Sequence, residues 1–135
     1  MKQEVEAAFA EMLDISTDID KAVVFGPEGV VATNMSEPAL SVTVTHAEEL
    51  VRLGQASAVK SGSQPLTQLV VETPGGLVFL VRELGPDGMT AVATGKKGSR
   101  VGLALYDLKT CLRDAREAAS AVATTVEGTV EGVDA

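Results

Sequence analysis

Cysteine, histidine and aromatic side chains are scarce in this chain. Among 135 residues there is one cysteine, Cys111, and one histidine, His46. A single cysteine excludes an intrachain disulfide, and a lone His–Cys pair supplies at most half of a zinc site. There is no Trp, one Tyr and three Phe, which leaves few faces on which bases or sugars could stack. Positive charge is also short: 11 Lys and Arg stand against 19 Asp and Glu, a net charge of −8 with a pI of about 4.6. Such a domain repels phosphate backbones, so nucleic acid is not an expected partner. The longest strongly apolar run, Leu77–Val81, falls far short of the ~20 residues of a membrane span. Met1–Glu6 is charged, without the apolar stretch of a secretory leader. The expectation is a cytoplasmic protein that does not insert into membranes.

What is present suits one compact domain, large enough to bury about two-thirds of its unfolded surface without disulfide or metal. Val5, Ala8, Phe9, Met12 and Leu13 form one helical stripe. Lys21–Phe25 and Gly29–Thr33 are rich in Val, whose β-branched side chain fits a pleated surface. Between them, Gly26-Pro27-Glu28-Gly29 has the chemistry of a tight reversal. Asn34–Thr43, broken by Pro38, reads as a loop. A helix is expected from about Thr45 to Lys60, opened by the capping box Thr45-His46-Ala47-Glu48 and stopped at Ser61-Gly62-Ser63. Three strands follow, Leu66–Thr73, Leu77–Glu83 and Met89–Thr94, divided by Pro74-Gly75-Gly76 and Gly85-Pro86-Asp87-Gly88. The Leu77 strand is apolar on both alternating sets and reads as central; the Leu66 strand is mixed and reads as nearer an edge. A last helix spans about Ser99–Ala118, and residues 119–135 read as a flexible acidic tail. The fold class is therefore α+β, with one five-stranded, mainly antiparallel sheet built from a hairpin and a three-strand meander. A crossover helix lies on one face and the terminal helices lie on the other.

No catalytic constellation assembles from these residues. His46 has no identifiable Ser, Cys or Asp partner and reads as a polar group near a helix start. Cys111 lies beside the apolar stripe of the last helix and reads as a small buried hydrophobe. Ala93–Arg100, "ATGKKGSR", joins a strand to a helix as a phosphate loop does, with Lys96, Lys97 and Arg100 nearby. Its spacing departs from G-x-x-x-x-G-K-[ST], so it reads as a plain connection. Glu48 and Glu49 are adjacent on a helix and point apart. Neither cofactor nor metal is expected. The crossover helix carries the interest: Ala47, Leu50, Val51, Gly54 and Ala58 make one stripe, and Leu53, Ala56 and Ser57 make a second beside it. A monomer would leave the second strip in solvent, so a helix–helix contact across a dimer is expected.

Taken together, "KAVVFGPEGVVATN", "AEELVRLGQASAVKSG", "QLVVETPGGLVFLVRELGPDGMTAVAT" and "RVGLALYDLKTCLRDA" resemble the roadblock/LC7 domain family over about Val5–Glu117. The resemblance implies a profilin-like roadblock domain over 1–118. It implies a dimer joined through the central helix and third strand, here Ala47, Leu50, Val51, Gly54, Ala58, Leu66, Leu69 and Val70. It further implies a scaffold or regulator without catalytic apparatus, often serving a small Ras-like GTPase, with Leu53, Ala56 and Ser57 as candidate partner-binding positions. A dynein-light-chain-like adaptor and a small-molecule sensor are the alternatives. The Val, Leu and Phe that fill the inner faces weigh against a sensor pocket.

Overall fold

The computed structural model describes residues 1–63 and 65–134, with side chains through Val122. The order is α1 (Lys2–Ile15), β1 (Lys21–Gly26), β2 (Gly29–Thr33), α2 (Glu37–Lys60), β3 (Gln68–Thr73), β4 (Gly76–Arg82), β5 (Thr90–Lys96) and α3 (Val101–Asp134). The strands form one sheet in the order β2-β1-β5-β4-β3, and every neighbouring pair is antiparallel. The β1–β2 hairpin turns at Pro27-Glu28, between the paired Gly26 and Gly29. Gly29 has φ +119, a conformation that a side chain would strain. This stretch leads into a strand, so it is a bend and not an anion cradle.

Alternation along the strands sorts side chains onto two faces. On one face Ala22, Val24, Phe79, Val81, Ala91 and Ala93 pack with Val5, Phe9 and Met12 of α1 and Ala104, Leu108, Cys111, Leu112 and Ala115 of α3. The α3 residues recur at i, i+4, i+7, i+8 and i+11, the spacing of a core-facing stripe. On the other face Val23, Phe25, Leu80 and Val92 meet α2. The expected layers are thus present. β4 is covered on both faces, with Leu77, Phe79, Leu80 and Val81 buried. β3 forms one edge of the sheet.

Three expectations are corrected. First, Asn34–Thr43 is not a loop up to Thr43, because α2 begins at Glu37, with Ser36 as N-cap and Pro38 in the first turn. There a proline's missing N–H is one that the helix would leave unpaired anyway. Thr45 and His46 therefore lie inside the helix, and no capping box forms at Thr45. Second, β3 starts at Gln68 and β5 runs Thr90–Lys96, each displaced by about two residues from the sequence reading. Third, α3 passes the expected end at Ala118, since Ala119-Ser120-Ala121-Val122 contains no Gly or Pro stop. The side chains of 123–134 and the whole of Gln64 and Ala135 lie outside the described residues, and the expected acidic tail falls mostly there. The stop of α2 is as expected. Ser63 N–H bonds Ala58 O at 2.8 Å and Gly62 N–H bonds Val59 O at 3.1 Å, a Schellman closure with Gly62 at φ +78.

Candidate functional site

Helix α2 holds 24 residues, and only Ala47 among them is buried. Its sheet-facing line is Leu40, Val44, Ala47 and Val51, spaced i, i+4, i+7 and i+11. Of the expected stripe, Ala47 and Val51 therefore face the sheet, half-buried Gly54 and Ala58 continue that line, and half-buried Leu50 lies along its flank. Gly54 turns toward β3: a Cβ placed there would lie 2.9 Å from Leu66 Cδ2 and 3.5 Å from Leu69 Cδ1 of its own chain. Its small size serves a close approach inside one molecule. The second strip, Leu53, Ala56 and Ser57, is exposed, Leu53 at 51%. Val42 and Val59 are exposed on the same helix, and neither position stands out in the sequence. Reading Asn34–Thr43 as a loop hides Val42, whereas the pair Ser36 and Pro38 is a helix-start signal that moves it onto α2.

Leu66, Leu69 and Val70 do not share one surface. Leu69 pairs with Leu80 on the α2 face, whereas Val70 pairs with Phe79 on the face of α1 and α3 and stays 36% exposed. Leu66 N–H is held by Gln55 Oε1 at 2.9 Å, and Arg82 Nη1 donates to the same oxygen at 3.1 Å. This pins the approach to β3 against α2. The edge strand and the flank of α2 marked by Gly54 are thus neighbours, and together they form a partly apolar surface on one border of the molecule.

The residues weighed for chemistry do not converge. The His46 side chain is exposed on α2 and has no hydrogen-bonding partner among the described residues. Cys111 is buried, and burial, followed by the Asp114 charge, pushes its thiol up to about 11, opposite to what a nucleophile needs. The "ATGKKGSR" connection already receives an anion from its own chain. Asp18 Oδ1 accepts Arg100 N–H at 2.9 Å, and Arg100 Nη2 reaches Asp18 Oδ2 at 3.1 Å and Thr17 Oγ1 at 2.9 Å. Asp18 thus occupies the start of α3, where a phosphate would otherwise sit. No group of three or more His, Cys, Asp or Glu among the described residues could hold a metal ion. No helix among them is long and apolar enough to cross a membrane.

The Asp18 contact has a signed pH consequence. The Arg100 backbone N–H, then the guanidinium, hold this carboxyl below its ordinary 3.8. A lowered folded pKa stabilises the fold above the unfolded value and ceases to do so as pH falls through the folded value. Asp18→Asn is therefore expected to melt below the parent protein at pH 7. The gap should narrow as the pH falls below the ordinary carboxylate range and close once Asp18 is protonated in the folded state, and a gap independent of pH would contradict the assignment.

No family model matches the sequence, and no curated protein does. Solved structures do match. A roadblock/LC7 domain from Streptomyces avermitilis superposes with a TM-score of 0.73 at 13% identity, covering 85% of this chain and 97% of that one. Myxococcus xanthus MglB gives 0.72 at 8% identity, covering 87% and 96%. The gliding protein MglB of Thermus thermophilus gives 0.66 at 16% identity, covering 85% and 90%. The chain has the roadblock/LC7 fold.

Proposed function

We propose that this protein is a non-enzymatic regulatory scaffold that pairs with a second copy of itself through α2 and β3, and in that form binds a small Ras-like GTPase. The observation that carries the reading is α2 itself. A 24-residue helix with one buried residue is poorly accounted for by a lone chain, because most helical stability comes from packing an apolar face. Its flank lies beside an edge strand, and unpaired edges are managed in proteins by covering or pairing them. A two-fold axis at β3 would join two sheets edge to edge and set the two α2 helices side by side. Such an isologous contact uses the same patch on both copies. The roadblock/LC7 fold supports the regulatory half of the reading, through the GTPase association that the sequence resemblance implies. Scattered chemistry at His46 and Cys111 supports a surface that binds rather than reacts.

Two measurements test it. Light scattering at micromolar concentration is expected to return twice the 13.9 kDa chain mass, and a monomer would overturn the pairing. A pull-down from the native host, run with GDP and with a GTP analogue, is expected to retain a Ras-like GTPase in a nucleotide-dependent amount. Recovery of no such protein under either nucleotide would overturn the partner.

A further inference from the structure

The sheet face opposite α2 carries α1 and α3 side by side, and the outer seam between these helices is open. At one end it is a cavity of about 120 Å³ lined by Met12, Ile15, Tyr106 and Cys111. At the other it widens to about 730 Å³ between Ala7, Ala118 and Val122. Both ends share Ala8, Glu11 and Asp114, so they are one continuous groove. Three large apolar side chains along it stand in solvent: Ile15 at 65%, Tyr106 at 58% and Val122 at 52% exposure. Large apolar groups gathered along one concavity are a sign of a docking surface, where scattered ones are not.

The rim has one sign of charge. Glu4, Glu11, Asp107, Asp114 and Glu117 line the groove, and among the described residues no Lys or Arg does. Glu4 is met by the Met1 ammonium at 3.3 Å and Asp114 by Arg113 at 3.5 Å. Glu11, Asp107 and Glu117 have no ion-pair partner among the described residues. Two other carboxylates are answered by arginine, Glu83 by Arg116 at 2.6 Å and Asp18 by Arg100, so what sets the groove apart is the lack of any Lys or Arg among the described residues of its lining.

We propose that this groove docks a basic amphipathic helix of a partner protein, its apolar stripe seated between Ile15, Tyr106 and Val122 and its Lys and Arg side chains on the carboxylate rim. The walls are two helices whose backbone groups are already paired, so an extended peptide would find no ladder to join. A helix satisfies its own backbone and offers only side chains. The length agrees: Gln3 to Ile15 spans about 18 Å at 1.5 Å per residue, enough to seat roughly twelve residues of a third helix lengthwise. The charge opposes an anionic lipid surface and favours a cationic segment. The groove is on the other side of the sheet from α2, so its occupancy is independent of the proposed pairing.

The test uses the full chain and a fluorescein-labelled fourteen-residue peptide of leucine and lysine in amphipathic helical order. The same pattern made with glutamate in place of lysine is the control. The lysine peptide is expected to bind saturably, with amide shift changes confined to α1 and α3. Glu11→Lys/Glu117→Lys should weaken it at least tenfold, and Ile15→Ser/Tyr106→Ser by a similar factor at unchanged charge. Glu28→Lys/Asp87→Lys, which changes the net charge equally but away from the seam, should leave it within twofold. The proposal is overturned by an absence of saturable binding, by equal binding of the glutamate peptide, by equal loss in both charge-reversed proteins, or by shifts centred on α2.

Discussion

Leu50→Arg/Leu53→Arg is expected to turn a dimer into a folded monomer, raising the dissociation constant at least a hundredfold. The positions follow from the side of α2 that Gly54 marks. Gly54 faces Leu66 and Leu69, so the neighbouring flank, with Leu50 half-buried and Leu53 exposed, projects over the β3 edge where a second copy would sit. Within one chain neither position is closed off, and arginine can extend into water with its stem along the surface. Across a two-fold contact each arginine meets its symmetry mate's apolar flank, and four cations are introduced without partners. An uncompensated buried charge costs about 3–5 kcal/mol, and every ~1.4 kcal/mol is tenfold in affinity. Circular dichroism should be unchanged while light scattering falls to the single-chain mass. Retention of the dimer would place the pairing surface elsewhere. Gly54→Arg is the poorer probe, although the sequence reading points to it. Its new side chain would press first on Leu66 of its own chain, confounding a loss of pairing with a loss of internal packing.

That contrast shows where the sequence is legible and where it is not. The strands can be read because Gly-Pro, Pro-Gly-Gly and Pro-Asp-Gly mark their ends and β-branched residues fill them. The layers follow from strand order and helical stripes. The start of α2 comes out two turns late, with a physical cause. Pro38 reads equally as a breaker or as a first-turn residue, since only the orphan N–H of the helix start distinguishes the two. Taking it as a breaker removes Leu40 and Val44 from the stripe. The stripe that remains, Ala47 to Ala58, still faces the sheet, because Gly54 and Ala58 continue the line of Ala47 and Val51; what is lost is the first two turns of the helix. The exposed strip of Leu53, Ala56 and Ser57 lies further round and is unaffected. The acidic groove is beyond reach for a different reason. Glu11 and Asp114 come from opposite ends of the chain, and no periodicity relates two helices whose packing is settled by the sheet face they share. The Asp18 cap on α3 is of the same kind: 82 positions separate Asp18 from Arg100.

Phe79→Ala is expected to lower stability by about 3–5 kcal/mol, the range for deleting a buried phenyl ring, with a melting temperature lower by roughly 10–15 °C for a domain of this size. Phe79 is fully buried on β4, opposite Ala93 on β5. Its ring reaches across the ladder to Gly95, where an added Cβ would meet Phe79 Cε2 at 2.8 Å, Asp18 O at 2.9 Å and Ser99 Oγ at 2.9 Å. An aromatic ring covering a strand glycine shields backbone that the glycine leaves bare. The same spot joins the core to the α3 start, because Asp18 also accepts the Arg100 N–H. Gly95→Ala should therefore destabilise as well, by roughly 1–3 kcal/mol as an overpacked site. The double variant separates the two causes. If the ring is what the new methyl strikes, removing it relieves the clash, and Phe79→Ala/Gly95→Ala falls short of the sum of the single losses by more than the ~0.5 kcal/mol scatter of independent sites. If the Asp18 carbonyl is the obstacle, the losses add, because deleting the ring leaves that oxygen where it is. Denaturant unfolding of the four proteins, with the slope of free energy against denaturant held equal among them, decides between ring and carbonyl.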